Sequence, residues 1–159
     1  MAESIAFSYG TNFFSPSNSG FNTSNGVTTI LEWQLDTGMT LGVVNEQTVL
    51  DYTNAAGVQQ VGDVTVNGIR ITQSVMDRVR IGLGLGSGAT NNMTADDRAT
   101  VVDVVGEVTL FSGEGNRVKG SLVATVAARY MNTPNLVAVG DAVDNLNGSN
   151  VGLAVKLGF

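Results

Sequence analysis

The sequence contains neither cysteine nor histidine. Without cysteine there is no disulfide framework, thiolate metal site or redox pair. Without histidine, the usual base of hydrolase triads and the commonest transition-metal ligand are missing. Charge is scarce too: Asp, Glu, Lys and Arg make up 14% of the 159 residues, against roughly 25% in soluble domains. Proline occurs twice, and no apolar run approaches the ~20 residues of a membrane-spanning helix. Glycine, by contrast, is abundant at 20 residues, alongside a 43% apolar fraction and a net charge of −6. With plentiful Asn, Ser and Thr, this suits strands and turns better than helices. The length suits a single domain, residues 1–159. Met1, Ala2 and Glu3 read as an initiator placed before a mature N-terminus whose signal peptide has been removed.

Apolar residues recur at every second position in one segment after another. In the last, VGLAVKLGF, Val151, Leu153, Val155, Leu157 and Phe159 alternate with Gly152, Ala154, Lys156 and Gly158. In the first, Ile5, Phe7, Tyr9 and Phe13 oppose Ala6, Ser8, Gly10 and Asn12. Similar stripes run through Val27, Leu31, Trp33 and Leu35; Ile69, Ile71 and Val75; Val79, Ile81, Leu83 and Leu85; Val102, Val104, Val108 and Leu110; and Val118, Leu122, Ala124, Val126 and Tyr130. A period of two marks a strand with one apolar face. The third segment, about Leu41 to Tyr52, changes phase, with Leu41 and Val43 on one face and Leu50 and Tyr52 on the other. A bulge would reconcile them.

The connections alternate in length. Tight turns at DTGM, around MDR and at SGEGN join segments two to three, four to five and six to seven. Longer polar stretches, Ser15 to Gly26, Thr53 to about Thr65, Ser87 to Arg98 and Asn132 to Ser149, join the others. An even strand count, segments of about ten residues, and short turns at one end with long loops at the other predict an all-β, eight-stranded antiparallel up-and-down transmembrane β-barrel. Closure pairs the last strand with the first and leaves no edge. A soluble lipocalin-like barrel would turn the same apolar face inward, and must then place the charged residues of the strands outside.

VGLAVKLGF resembles the terminal strand of Gram-negative outer-membrane β-barrels, and the eight segments resemble the small barrels of the OmpA transmembrane domain, OmpX and opacity-protein group. The resemblance spans nearly the whole chain but rests on pattern and length. It implies recognition of the C-terminal strand by the barrel assembly machinery, contact with outer-membrane lipids and lipopolysaccharide, periplasmic termini and extracellular long loops. On that frame Trp33, Phe111 and Phe159 form an aromatic girdle at the periplasmic interface, and Phe13, Tyr52 and Tyr130 one at the other.

Seven of the eight basic residues lie in or beside strands. The expected lumen charge network is Glu32, Arg70, Arg80, Asp103, Glu107, Lys119, Arg129 and Lys156. Counting from SGEGN sets Glu107 near Ser121, diagonal to Lys119 on the inward face. Glu32 and Glu107 are then shared among Arg80, Lys119 and Lys156, which leaves the cluster slightly positive. An eight-stranded barrel is narrow enough for its side chains to fill, and buried charges are tolerated chiefly when paired. GLGLGSG lacks the GxGxxG spacing and a following helix, so Gly82, Gly84 and Gly86 read as space for long lumen side chains rather than a phosphate loop. GDAVDNLNG, with Asp141, Asp144, Asn145 and Asn147, lacks the alternate oxygen spacing of a calcium loop. The loop acids, Asp51, Asp63, Asp96, Asp97, Asp141 and Asp144 against Arg98, argue against a nucleic-acid partner.

No catalytic, cofactor-binding or metal-binding residue is expected. The function these features point to is a non-enzymatic outer-membrane barrel, side-chain-filled, with four polar loops in a structural or surface-interaction role. The alternative is a narrow porin-like channel for ions or small solutes.

Overall fold

The alternating segments do form strands, and the strands outrun the stretches that announce them. The structure is a computed structural model that describes residues 2–35 and 37–159; Met1 of the initiator reading and Asp36 of the DTGM turn lie outside the described residues. In chain order the strands are β1 (Ala2–Pro16), β2 (Ser24–Leu35), β3 (Met39–Thr53), β4 (Gln59–Met76), β5 (Val79–Asn91), β6 (Arg98–Glu114), β7 (Lys119–Ala138), β8 (Asp141–Asn145) and β9 (Gly148–Gly158). Successive strands pair antiparallel from β1 to β7, and β9 pairs with both β7 and β1. Eight strands therefore form a closed ring, to which β8 is appended as a hairpin on the far end of β7. At the seam, Phe159 N–H donates to the Ile5 carbonyl at 2.8 Å.

One row of paired residues can be followed right round the ring. It leaves β1 at Ala6, passes Glu32, Arg70, Asp103 and Arg129, and returns to β1 at Pro16. The stagger, from residue 6 to residue 16, is ten residues. With ~3.3 Å per residue and ~4.8 Å between strands, it tilts the strands by about 40°. Each step to the next strand thus climbs by just over one residue. In the ladders of the ring, register shifts fall at Ala2/Ser4, Ser74/Met76 and Thr109/Phe111, all toward the turn end, and the β7–β8 hairpin has one at Asn132/Leu136.

The outside of the ring is apolar. Ile5, Phe7, Ile69, Ile81, Leu83, Val104 and Val155 are all exposed, Leu83 at 61%, while the alternate positions point inward. Strands of 12 to 20 residues along β1 to β7 exceed the ~9–11 that cross a bilayer; β6 and β7 run on at the turn end to Glu114 and Lys119, and other strands run on at the loop end. There the inward face turns apolar: Phe14, Leu50, Val64, Val101, Met131 and Leu136 form one buried cluster with Val143 and Leu146 of the β8 segment.

Those strand extensions correct two expectations. The loop-end connections are shorter than the polar stretches predicted, because much of that sequence continues the ladders and the last stretch contains β8. Segment three needs no bulge either, since both ladders of β3 run uninterrupted from Thr40 to Thr48. Leu50 and Tyr52 point inward because the core above the ion pairs is apolar. Two of the three β5 glycines also differ from expectation: a side chain at Gly82 or Gly86 would collide with the backbone of β4, whereas Gly84 has room beside Arg70. Gly82 and Gly86 let β4 and β5 approach closely.

Candidate functional site: the layered lumen

The inward charges form two layers. In the upper one, Arg129 on β7 donates to Glu46 on β3 (Nη1 to Oε1 2.7 Å, Nη2 to Oε2 3.1 Å) and to Asp103 on β6 (Nε to Oδ1 3.0 Å, Nη2 to Oδ2 3.0 Å). Asn150 donates to Glu46 at 3.0 Å, and Asn12 links Asn150, Thr48 and Thr28. A guanidinium fork that meets two carboxylates while neighbouring amides saturate them is the arrangement in which buried charge is tolerated. Arg129 also lies 5.3 Å from the centroid of the Phe14 ring, at the floor of the apolar cluster.

The lower layer centres on Lys156 of β9, whose Nζ lies 2.9 Å from Glu32 and 2.8 Å from Glu107. Arg80 stands beside this layer, held by neutral acceptors: Thr72 Oγ1 at 3.1 Å and the Gly38 carbonyl at 2.7 Å. Arg70 lies between the layers, flanked in its row by Gly42 and Gly84, and its Nε is buried with no hydrogen-bond partner among the described residues. A cavity of about 30 Å³, lined among others by Asn12, Glu46, Arg70, Glu107 and Lys156, separates the two layers. It is large enough for a water molecule.

Below the lower layer the lumen opens at the turn end into a cavity of about 440 Å³, lined by Glu32, Arg80, Glu107, Lys119 and Lys156 among others. From turn end to loop end, the interior thus runs from open vestibule through lysine layer, small cavity and arginine layer to apolar plug. The four inward acids in the two layers, Glu32, Glu46, Asp103 and Glu107, are matched by Arg70, Arg80, Arg129 and Lys156. In the lower cluster, with Lys119 placed at Glu114 instead, Glu32 and Glu107 stand against Arg80 and Lys156, so that cluster is balanced rather than slightly positive.

Lys119 departs from the expected network. It is exposed and lies 3.9 Å from Glu114, because the β6–β7 hairpin turns at residues 115–118 and pairs Glu107 with Thr125, not Ser121. The cation that Glu107 meets is Lys156. Glu46, Asn12 and Asn150 also belong to the network and were not among the residues expected there. Glu46 was legible: continuing the Leu41, Val43 phase through Gln47 and Val49 sets Thr40, Val44, Glu46 and Thr48 on the inward face.

Among the girdle positions, Phe13, Tyr130, Phe111 and Phe159 are exposed on the outer wall, and Trp33 faces the same way between Ile5 and Leu41. Tyr52 does not join them. It is buried inside the loop end, edge-on to Phe21 with ring centroids 4.9 Å apart, and donates to Asp141 at 2.7 Å. That bond, together with burial and the Asp141 charge, raises the phenol above its usual pKa. Other loop acids hold local structure: Asp63 accepts from Asn91 and Asn92, Asp96 from the Met93 N–H, and Asp97 from the Asn135 N–H at 2.9 Å.

The ring, the outward apolar belt and the ion-paired interior define a closed eight-stranded antiparallel barrel of inside-out polarity. No family model matches the chain, and no curated relative is found by sequence. Among solved structures, the chain is similar to the outer membrane protein OprG from Pseudomonas aeruginosa, at 8% identity and a TM-score of 0.51 over 99% of this chain and 96% of that one. At that identity the likeness is one of fold.

Proposed function

We propose that the chain is an integral outer-membrane β-barrel with a filled, non-conducting lumen, which serves a structural or surface-interaction role and carries out no catalysis. The observation that carries this reading is the inverted polarity: apolar side chains cover the outside of a closed ring while ion pairs cross the inside. Water does not tolerate an apolar surface of that extent on a monomer, and closure leaves no unpaired strand edge for lipid to meet. On this reading the termini and short turns are periplasmic and the loop end is extracellular, as in the OmpA, OmpX and opacity-protein group. The terminal VGLAVKLGF strand is the segment offered to the barrel assembly machinery. Loop acids approach lipopolysaccharide through divalent cations.

The narrow-channel alternative is favoured by the turn-end vestibule and the small cavity above it. Two ion-pair layers and the apolar cluster stand between that vestibule and the loop end, and they favour the plug. Folding tests the membrane reading: the purified chain should need detergent or vesicles to reach a β-type circular dichroism spectrum and heat-modifiable migration. A monodisperse folded monomer in plain buffer would overturn it.

A further inference from the structure

The outer wall carries a polar notch on β2 to β4. Outward positions Thr29, Asn45, Gln47, Thr65 and Asn67 sit on three adjacent strands, and Asn45 Nδ2 donates to Asn67 Oδ1 at 2.7 Å. Allowing for the climb of about one residue per strand, the two asparagines stand at about the level of Val151, Val104 and Leu85 on the other walls. Where those walls offer hydrocarbon, this one offers amides, which acyl chains cannot satisfy.

A single amide-to-amide bond leaves an acceptor on one side chain and donors on its partner, whichever way either amide is turned. The leftover set is therefore self-complementary. A two-fold axis beside β3 and β4 sets the free Asn67 amide of one chain against the free Asn45 oxygen of another, and the reverse. A lipid phosphate would call for Arg or Lys, and none of the five notch residues is charged. Beside the notch the outer wall is recessed by a groove between Phe13, Val27, Val49 and Asp63, with room for side chains from an apposed wall. We propose that this wall is the interface of a homodimer within the membrane, joined by reciprocal asparagine hydrogen bonds. The proposal rests on the membrane reading above.

The absence of cysteine makes any introduced thiol unique. Thr65→Cys in the notch and Val151→Cys on another wall would each be refolded into phosphatidylcholine vesicles at low protein-to-lipid ratio, floated on a density gradient and treated with a bis-maleimide. Thr65→Cys should cross-link to a dimer at least tenfold more than Val151→Cys. Adding Asn45→Leu and Asn67→Leu should bring it down to the Val151→Cys level while heat-modifiable migration persists. Equal cross-linking at both sites, as for a monomer whose barrel merely leans in the bilayer, would overturn the dimer and leave the membrane reading standing, as would a dimer that survives the leucine pair. A folded chain that fails to float would overturn both.

Discussion

Arg129 and Glu46 face each other from opposite walls of the ring, four strands apart in either direction, and Arg129 donates two hydrogen bonds to Glu46 across the lumen. Both side chains are 2% exposed, so neither charge has water as an alternative partner. Arg129→Leu leaves Glu46 and Asp103 buried without their cation and should cost about 3–5 kcal/mol, measured by urea unfolding in vesicles. Replacing all three residues by apolar ones of similar volume should restore most of that loss.

The lower layer should respond unequally to its members, because one lysine serves two acids. Lys156→Met removes the only cation bonded to Glu32 and Glu107 among the described residues, and should destabilise by ~3–5 kcal/mol. Glu107→Gln leaves Lys156 paired with Glu32, and should cost no more than about 1.5–3 kcal/mol, the scale of one hydrogen bond to a charged group. Unfolding of both variants under one condition checks the order. Equal losses would mean that the layer is not organised around Lys156.

Leu83 lies on the outer face of β5, exposed and away from both ends of the strand. If that face meets lipid, Leu83→Lys should destabilise the barrel by about 2–4 kcal/mol. The same lysine at Ser87, further toward the loop end, should cost ~0–1 kcal/mol. Refolding yield and unfolding midpoint in vesicles measure the pair.

Asp97 gives the loop end a pH dependence. Burial pushes this carboxyl up, but hydrogen bonds from the backbone N–H groups of Asn135 and Arg98 and from the Asn135 side chain outweigh it and hold the pKa below the usual range. A depressed carboxylate stabilises the fold above its unfolded pKa of about 3.9, and that contribution is lost as pH falls through the lower folded value. Wild type should exceed Asp97→Asn in stability at neutral pH, with the gap closing as the pH falls below about 3.9. A gap independent of pH would remove the carboxylate from the explanation.

Strand number, outward face and ring closure could be read from the sequence because the period-two stripe is written residue by residue in Val79 to Leu85 and in Val151 to Phe159. The phase of β3 was harder to read. Its outward positions Asn45 and Gln47 are polar and its inward positions Leu50 and Tyr52 apolar, so hydropathy reverses along a ladder whose geometry does not. For the same reason the apolar plug resembled loop sequence: Leu136, Val143 and Leu146 are scattered among Asn, Asp and Gly. Partners across the lumen could not be read, because the β6–β7 register differs by four residues from the one counted from SGEGN, and that difference carries Lys119 away from Glu107. Pairing across a ring depends on all the registers together.

The plugged lumen is tested most directly by planar-bilayer recording of the folded chain. With the Lys156 and Arg129 layers crossing the interior and the Leu50, Met131 and Leu136 cluster above them, the baseline should be quiet and Glu107→Gln should not change it. Stable, reproducible conductance steps in wild type, with ion selectivity that shifts toward anions in Glu107→Gln, would contradict the plugged lumen and make the barrel a channel.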